Sequence, residues 1–346
     1  MARTTGKVRA ARLTDLAALG ELSRRAQGDA EATRSLGLPV SGPPIGVFSL
    51  FRLTLGAFQP HDALYVFDRD SHIAGLLRVE RDSGRDEWTV VELDAVGGLD
   101  AGDVRFRLVQ HLLRDGAKRG ATRFHVACAD ADDNVELFMQ AGFVRFGDER
   151  IRFRPAGELP APWSEAEARE AGIRPTSPLH ALGLSRLYSA VTPAPVQRLE
   201  CLRLADWERL GREWRIPRSS LNPILRFADV YTYVLEAPGG GRDGVQLDGL
   251  VQVGVAKEDQ PHYLKVIARP EADTAPLIRF ALGVIAERAD KSTRHEGVIA
   301  PVRTYESPLD RRLEEDGFED IATVTLLMKE TLVRVAEPRL VPAGVR

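Results

Sequence analysis

The sequence predicts an α/β protein built from two similar halves, and two observations lead to that prediction. First, residues 87–126 parse as a strand, a glycine-bearing loop, an amphipathic helix and a second strand, because β-branched residues give way to apolar residues at helical spacing. Second, landmarks recur in the same order at similar offsets, which indicates an internal duplication. These landmarks are Arg9 and Arg174 (offset 165), Gly75 and Gly249 (offset 174), and Gly142-Phe143 and Gly317-Phe318 (offset 175).

The first half, residues 1–154, shows strands and helices in alternation. Each element is marked by its apolar period and is bounded by glycine, proline or capping residues. The pattern predicts strands at 8–12, 63–68, 73–80, 88–96 and 122–128, helices beginning at Thr14 or Asp15 and spanning 47–58, 103–119 and 134–140, a loop at 27–46, and a final hairpin of 143–146 with 151–154.

The second half, residues 172–333, repeats this order after a proline- and glutamate-rich linker at 155–171. Its extra length fits insertions around 196–228. The pattern predicts strands near 229–236, 245–256, 261–268, 297–301 and 318–329, helices at 275–289 and 307–316, and a loose tail at 334–346.

Composition narrows the class of partner. The chain has 346 residues and a formal net charge of −3, so it has no general attraction to nucleic acid or to an anionic membrane. No apolar run reaches the length that spans a bilayer. Cys128 and Cys201 lie far apart and the histidines show no metal-ligand spacing, so we expect no metal site and a cytoplasmic protein. The excess of arginine over lysine hints at a bacterial source.

The strand–loop–helix unit is the type that holds a phosphate. Backbone N–H groups converge where a glycine loop opens a helix, and the helix N-terminus is electropositive. In the first half Gly97, Gly98 and Gly102 mark this loop. The equivalent segment of the second half, 269–274, has no glycine and carries Glu271 and Asp273. A structural pseudo-repeat is therefore the stronger reading of the second loop.

Both halves resemble the GNAT superfamily of acyl-CoA-dependent N-acyltransferases. The motifs that carry the resemblance are VRAARLTD, IAGLLRVE and NVELFMQAGF in the first half, and IRPTSPLH, LDGLVQVG, LKVIARPEADTAPLIRFAL and SPLDRRLEEDGF in the second. Together the halves cover most of the chain apart from the linker and the tail. The resemblance implies α/β (α+β type) domains in tandem, each a mixed, mostly antiparallel sheet flanked by helices. It also implies acetyl-CoA as acyl donor, bound where two central strands splay apart.

The resemblance assigns cofactor contacts to the first half. The family loop Arg/Gln-x-x-Gly-x-Gly/Ala matches Leu99 to Val104, with Gly102 at the first glycine position. Arg105 and Arg107 could compensate for the nearby acids. The implied cofactor-binding residues are Val96, Gly98, Gly102, Val104, Arg105, Arg107 and Asn134. The alternative is a plain helix that Asp103 caps.

The candidate catalytic residues match the family pattern less closely than the cofactor loop does. Glu92 and Asp94 lie two residues apart on a strand, so they share a face and could accept the amine proton directly or through water. The alternative is that they face solvent or pair with an arginine. Phe138 and Leu313 stand where the family has a tyrosine that protonates the leaving thiolate, and Tyr305 is a possible substitute.

Two functions remain open from the sequence. The first is acyl-CoA-dependent N-acyl transfer, of the acetyltransferase type, to a small-molecule or peptide amine, with the active site in the first half. The second is a non-catalytic GNAT-like protein that binds a ligand or a protein. We expect a monomer or a homodimer.

Overall fold

The computed structural model describes most of the chain. It covers residues 6–22, 62–96, 100–129, 133–209, 218–221, 225, 227–238, 246–257, 260–290, 293 and 296–331, apart from 16, 20, 71, 83 and 84. The predicted loop at 27–46, the predicted helix at 47–58 and the predicted tail at 334–346 lie outside these residues.

The described strands form one mixed sheet in the order β1-β2-β3-β4-β5-β12-β6-β11-β10-β9-β8-β7. The strands are β1 (Lys7–Ala10), β2 (Asp62–Arg69), β3 (His72–Asp82), β4 (Glu87–Ala95), β5 (Arg123–Ala129), β6 (Val144–Arg154), β7 (Ile173–Pro175), β8 (Phe227–Glu236), β9 (Leu247–Ala256), β10 (His262–Ala268), β11 (Val298–Arg303) and β12 (Glu319–Glu330). Among the described strands only the pairs β4–β5 and β10–β11 are parallel. The predicted mixed, mostly antiparallel sheet flanked by helices is confirmed.

The described helices lie on both faces of this sheet. They are α1 (Ala101–Lys118), α2 (Asn134–Gln140), α3 (Glu165–Glu170), α4 (Ala181–Val191), α5 (Ala194–Glu200), α6 (Leu204–Glu208), α7 (Ala275–Arg288) and α8 (Ser307–Glu315), with 3-10 turns at Leu13–Asp15 and Pro178–His180 and helical residues at 17–19 and 21–22. None of the helices in this described set is long and apolar enough to cross a membrane.

The two halves exchange their last strands. β12 lies between β5 and β6, and β6 lies between β12 and β11, so each half completes the sheet of the other. The predicted hairpin of 143–146 with 151–154 is therefore wrong, because a single strand runs from Val144 to Arg154. Its middle residues do not turn: Asp148 and Glu149 pair with Thr325 and Val324 of β12, and Glu149 is fully buried.

The sheet opens at two places. β4 and β5 pair only from Glu87 with Arg123 to Thr89 with His125, although both strands continue further. In the second half, β10 and β11 pair only at His262 with Val298 and Tyr263 with Ile299. Each half therefore contains a cleft between two parallel strands, with its closed end at this short pairing.

Separate apolar clusters cover the two faces of the sheet in each half. Helix α1 packs on the face that carries Leu77, Val79 and Leu93. The opposite face carries Leu64, Val66 and Leu76 against Leu19 and Leu22. In the second half α7 covers Val251, Val253 and Leu264, while α4 and α6 cover Val234, Leu250 and Ile267. The helices thus hold the strands on both sides of each cleft.

Candidate functional site

The predicted carboxyl pair lies on β4 beyond the point where it leaves β5. Asp94 is opposite Leu76 of β3, so the pair belongs to the face covered by Leu19 and Leu22 and not to the α1 face. Glu92 is opposite Arg78, whose Nε lies 3.2 Å from Glu92 Oε2. The sequence prediction that the two carboxyls share a face agrees with this register, and Glu92 pairs with an arginine as the alternative reading expected.

Of the two carboxyl groups, that of Asp94 has the more unusual environment. Its side chain is 2% exposed, and its Oδ1 has no hydrogen-bond partner among the described residues. Burial raises the pKa of Asp94 to about 8, and the negative charge of Glu92 acts in the same direction, against the positive charges of Arg105 and Arg78. A buried acid beside a like charge holds its proton at neutral pH. Asp94 can therefore exchange a proton near pH 8.

The loop after β4 leads into the first turn of α1. Val96 is 48% exposed, while Gly98 lies outside the described residues. A Cβ at Gly102 would meet no heavy atom within 4 Å, so the backbone of this turn is open to a ligand. The alternative in which Asp103 caps the helix is wrong, because Asp100 is the N-cap residue and Asp103 lies inside the helix.

Two predicted cofactor contacts are bonded to each other. Arg105 Nη1 donates to Asn134 Oδ1 at 2.7 Å, and both residues are almost fully buried. This bond joins the first turn of α1 to the first turn of α2. The positive charge of Arg105 also opposes the rise in the pKa of Asp94, so the bonded pair of Arg105 and Asn134 lies near the carboxyl groups of β4.

The other two predicted contacts point elsewhere. Val104 is buried, and its Cγ1 packs against Gly75 of β3. Arg107 donates to the Gly6 carbonyl at 2.8 Å, and its guanidinium lies 4.9 Å from the centroid of the Phe67 ring. Both residues hold α1 on the sheet in this structure.

The side chains at the family's tyrosine position, together with Cys128 and His125 on β5, are buried. Phe138 and Leu313 are buried apolar side chains, as the sequence implies. Cys128 is buried in the core cluster of the first half. His125 Nε2 lies 3.3 Å from Glu87 Oε2, and burial lowers the pKa of this histidine to about 4. His125 is therefore neutral at pH 7.

The second half contains a cavity of about 200 Å³ that sequence reasoning missed. It lies between the 269–274 loop, the start of α7 and helix α8, and its lining includes Arg269, Arg311, Arg312, Tyr305 and Glu306. Burial raises the pKa of Glu306 to about 7. In the sequence, Arg269 stands at the first position of the family's loop motif, and this is the signal that could have located the cavity.

Solved structures share this architecture. The chain is similar to a tandem GNAT protein from the clavulanic acid biosynthesis pathway, determined without AcCoA, with a TM-score of 0.55 and 14% identity over 94% of this chain and 98% of that one. It is also similar to a GCN5-related N-acetyltransferase from Sphaerobacter thermophilus, with a TM-score of 0.53 and 15% identity over 94% and 95% of the two chains. No protein-family model and no curated protein matches the sequence. At these identities the likeness establishes the fold over nearly the whole chain.

Proposed function

This chain has the fold of a tandem GNAT protein, and on that premise we propose that it is an acyl-CoA-dependent N-acyltransferase with its active site in the first half. The observation that carries the proposal is the carboxyl pair on β4, in which Asp94 is buried and Glu92 half-buried, next to the gap between β4 and β5. A base for amine deprotonation works best when its pKa lies near the working pH. Asp94, with a pKa of about 8, meets that condition.

The residues of the first half fit acetyl-CoA as acyl donor. The open backbone at Gly102 stands at the N-terminus of an 18-residue helix, where the partial positive charge favours a phosphate. Val96 and Gly98 stand between Asp94 and Gly102 in the sequence, and both belong to the proposed donor-binding set. Asn134, oriented by Arg105, faces the same region from α2.

The proposed reaction is direct transfer. The amine nitrogen of the acceptor attacks the thioester carbonyl carbon, a C–N bond forms and the C–S bond breaks. Asp94 in its ionised form takes the proton that the amine loses, while Arg78 holds the Glu92 carboxylate beside it. Because Phe138 stands at the family's tyrosine position, the leaving thiolate takes its proton from water. We propose a small-molecule or peptide amine as acceptor and a reducing, cytoplasmic setting for the free Cys128 and Cys201.

A calorimetric titration of acetyl-CoA tests this proposal. We expect binding to the wild-type protein and a loss of at least about tenfold in affinity for Gly102→Glu, because a carboxylate there repels the pyrophosphate. Gly102→Ala adds a methyl group but no charge, so it should lose less affinity than Gly102→Glu. Ala272→Glu places the same charge in the equivalent loop of the second half and should not change the affinity. Equal losses for Gly102→Glu and Ala272→Glu would contradict the assignment to the first half.

A non-catalytic, ligand-binding protein is the second candidate, and one observation favours it. The Arg105–Asn134 bond ties α1 to α2 beside the cleft, where the acyl donor would have to enter. If no heat is measured at millimolar acetyl-CoA, this second candidate replaces the first.

A further inference from the structure

Arg218 connects the closed end of the first cleft with the open part of the second. It precedes two buried serines, and it lies in a segment of the second half between α6 and β8. Its side chain reaches β4 of the first half, whereas its backbone carbonyl faces β10 and β11 of the second half. One residue therefore contacts the strands that form both clefts.

The guanidinium of Arg218 binds β4 where the strand stops pairing with β5. Nη2 forms an ion pair with Glu87, and Nη1 donates to Thr89 Oγ1 at 3.1 Å. Glu87 and Thr89 are the first and last residues of the three-residue β4–β5 pairing. A planar guanidinium can hold two acceptors in a fixed geometry, which an ammonium cannot do. The side chain thus spans the whole closed end of the first cleft.

Glu87 is deeply buried, so the stability of its charged form depends on the cations that pair with it. It is 1% exposed, and besides Arg218 it contacts Arg85 at 3.3 Å and Arg123 at 3.4 Å. Asp82, at the end of β3, lies 3.9 Å from the same Arg218 guanidinium. Arg85 and Arg123 both belong to the first half. Of these ionic contacts to Glu87, the one from Arg218 is the contact that crosses between the halves.

The carbonyl oxygen of Arg218 spans the second cleft. It accepts from Lys265 Nζ at 3.0 Å and from Arg303 Nη2 at 2.7 Å. Lys265 lies on β10 and Arg303 on β11, both beyond the last paired residues, so the two hydrogen bonds reach across the gap between the strands. Arg303 also pairs with Glu200 at 2.7 Å, and both residues are buried. The Arg218 carbonyl thereby links β10 to β11 across the second cleft.

We propose that Arg218 is a positioning residue, which fixes the closed end of the first cleft by anchoring β4 to the bridged strands of the second half. The second half then holds β4 of the first half in place, so the geometry of β4 depends on the second half. The consequence for ligand binding rests on the function proposed above, whereas the anchoring itself does not.

Hydrogen exchange followed by mass spectrometry tests the anchoring. In Arg218→Met, which keeps the length of the side chain and removes its charge, we expect peptides covering 87–89 and 123–125 to exchange about tenfold faster. Peptides covering β1 and β2 should be unchanged. Arg218→Lys keeps the charge but cannot bond Glu87 and Thr89 together, so it should give an intermediate rate. Unchanged exchange at 87–89 and 123–125 in Arg218→Met would overturn the proposal.

Asp310→Asn is the matched control. It weakens the ion pairs of Asp310 with Arg150 at 2.6 Å and with Arg152 at 2.7 Å, which also join a helix of the second half to a strand of the first. It touches neither β4 nor β5. The proposal predicts normal exchange at 87–89 and 123–125 in this variant, and acceleration equal to that of Arg218→Met would reduce Arg218 to a general stabilising contact.

A titration of acetyl-CoA tests the consequence of this anchoring for ligand binding. We expect Arg218→Met to weaken binding about tenfold, Arg218→Lys to recover part of it, and Asp310→Asn to bind like the wild type. Wild-type affinity in Arg218→Met would refute the positioning role. If the wild-type protein itself binds no acetyl-CoA, the proposed function fails, and the exchange rates still decide the anchoring.

Discussion

At the scale of single residues, Asp94 makes stability depend on pH. Its pKa of about 8 in the folded protein is above the ordinary aspartate value, so the folded state holds a proton that the unfolded chain has lost. Between about pH 4 and 8 the stabilising effect of that proton therefore falls as pH rises, by up to ~1.4 kcal/mol per pH unit. We predict that Asp94→Asn removes this slope.

Urea unfolding at pH 5, 6 and 7 measures that prediction. The free energy of unfolding of the wild type should fall relative to that of Asp94→Asn across the series. Asp103→Asn, at a carboxyl that is 53% exposed, should follow the wild type. Parallel pH profiles for the wild type and Asp94→Asn would show that Asp94 titrates normally.

His125 reports on the contact between Arg218 and Glu87. Burial and the positive charges of Arg218 and Arg85 together lower the pKa of His125 to about 4, against the attraction of Glu87. Removing the Arg218 charge should therefore raise the pKa of His125. An NMR titration of the ring signals of wild type and Arg218→Met checks this, and coincident titration curves would place Arg218 away from His125.

At the scale of elements, glycines set how closely a helix approaches its strand. A Cβ at Gly75 would lie 2.7 Å from Val104 Cγ1 and 2.9 Å from the Asp94 carbonyl. At Gly249, the equivalent position of the second half, the nearest atom is Leu277 Cδ2 at 3.1 Å. Overpacking a filled core costs roughly 1–3 kcal/mol.

We therefore predict that Gly75→Ala lowers the free energy of unfolding by about 2 kcal/mol and that Gly249→Ala lowers it by less, because a leucine methyl group can shift and a backbone carbonyl cannot. Urea unfolding of the two variants at pH 7 compares them. A larger loss for Gly249→Ala would mean that the first half relaxes more easily than its packing indicates.

The order of the elements followed from the sequence because apolar periods and glycine boundaries are local signals. The run from Glu87 to Val126 is the clearest case, since its two strands and the helix between them lie close to the predicted bounds. The strand over Val144–Arg154 was missed, because Glu149 is buried by contacts that no local pattern carries. Ser219 and Ser220 donate to it from the other half of the chain.

The carboxyl pair of Glu92 and Asp94 is a second case in which local sequence does not determine the surroundings of a side chain. The spacing of Glu92 and Asp94 predicts a shared face, yet it does not say which face. Register with β3 decides that question, because Asp94 is opposite Leu76. The contacts of Arg105 with Asn134 and of Val104 with Gly75 depend on how the helices pack. Local sequence does not carry that packing, so the family pattern assigned Arg105 and Val104 to the cofactor.

At the scale of the whole molecule, exchange of the last strands makes the halves depend on each other. A fragment that ends at residue 154 lacks β12 beside β5 and lacks both β12 and β11 beside β6. Unpaired edges of this kind recruit other chains. We predict that the fragment self-associates and that adding a fragment of residues 155–346 returns a 1:1 complex.

Size-exclusion chromatography with light scattering measures both outcomes. A fragment of residues 1–154 that is monomeric and as resistant to urea as the full chain would show that its sheet closes without β12. β6 would then pair with β5 directly.

A crystal structure with bound acetyl-CoA would show whether the first half holds the acyl donor beside Asp94. We expect the donor in the gap between β4 and β5, with its pyrophosphate at Gly102 and its thioester near the carboxyl of Asp94. A donor bound instead in the cavity between α7 and α8, against Arg269 and Arg312, would place the binding site in the second half and refute the proposed function of the first.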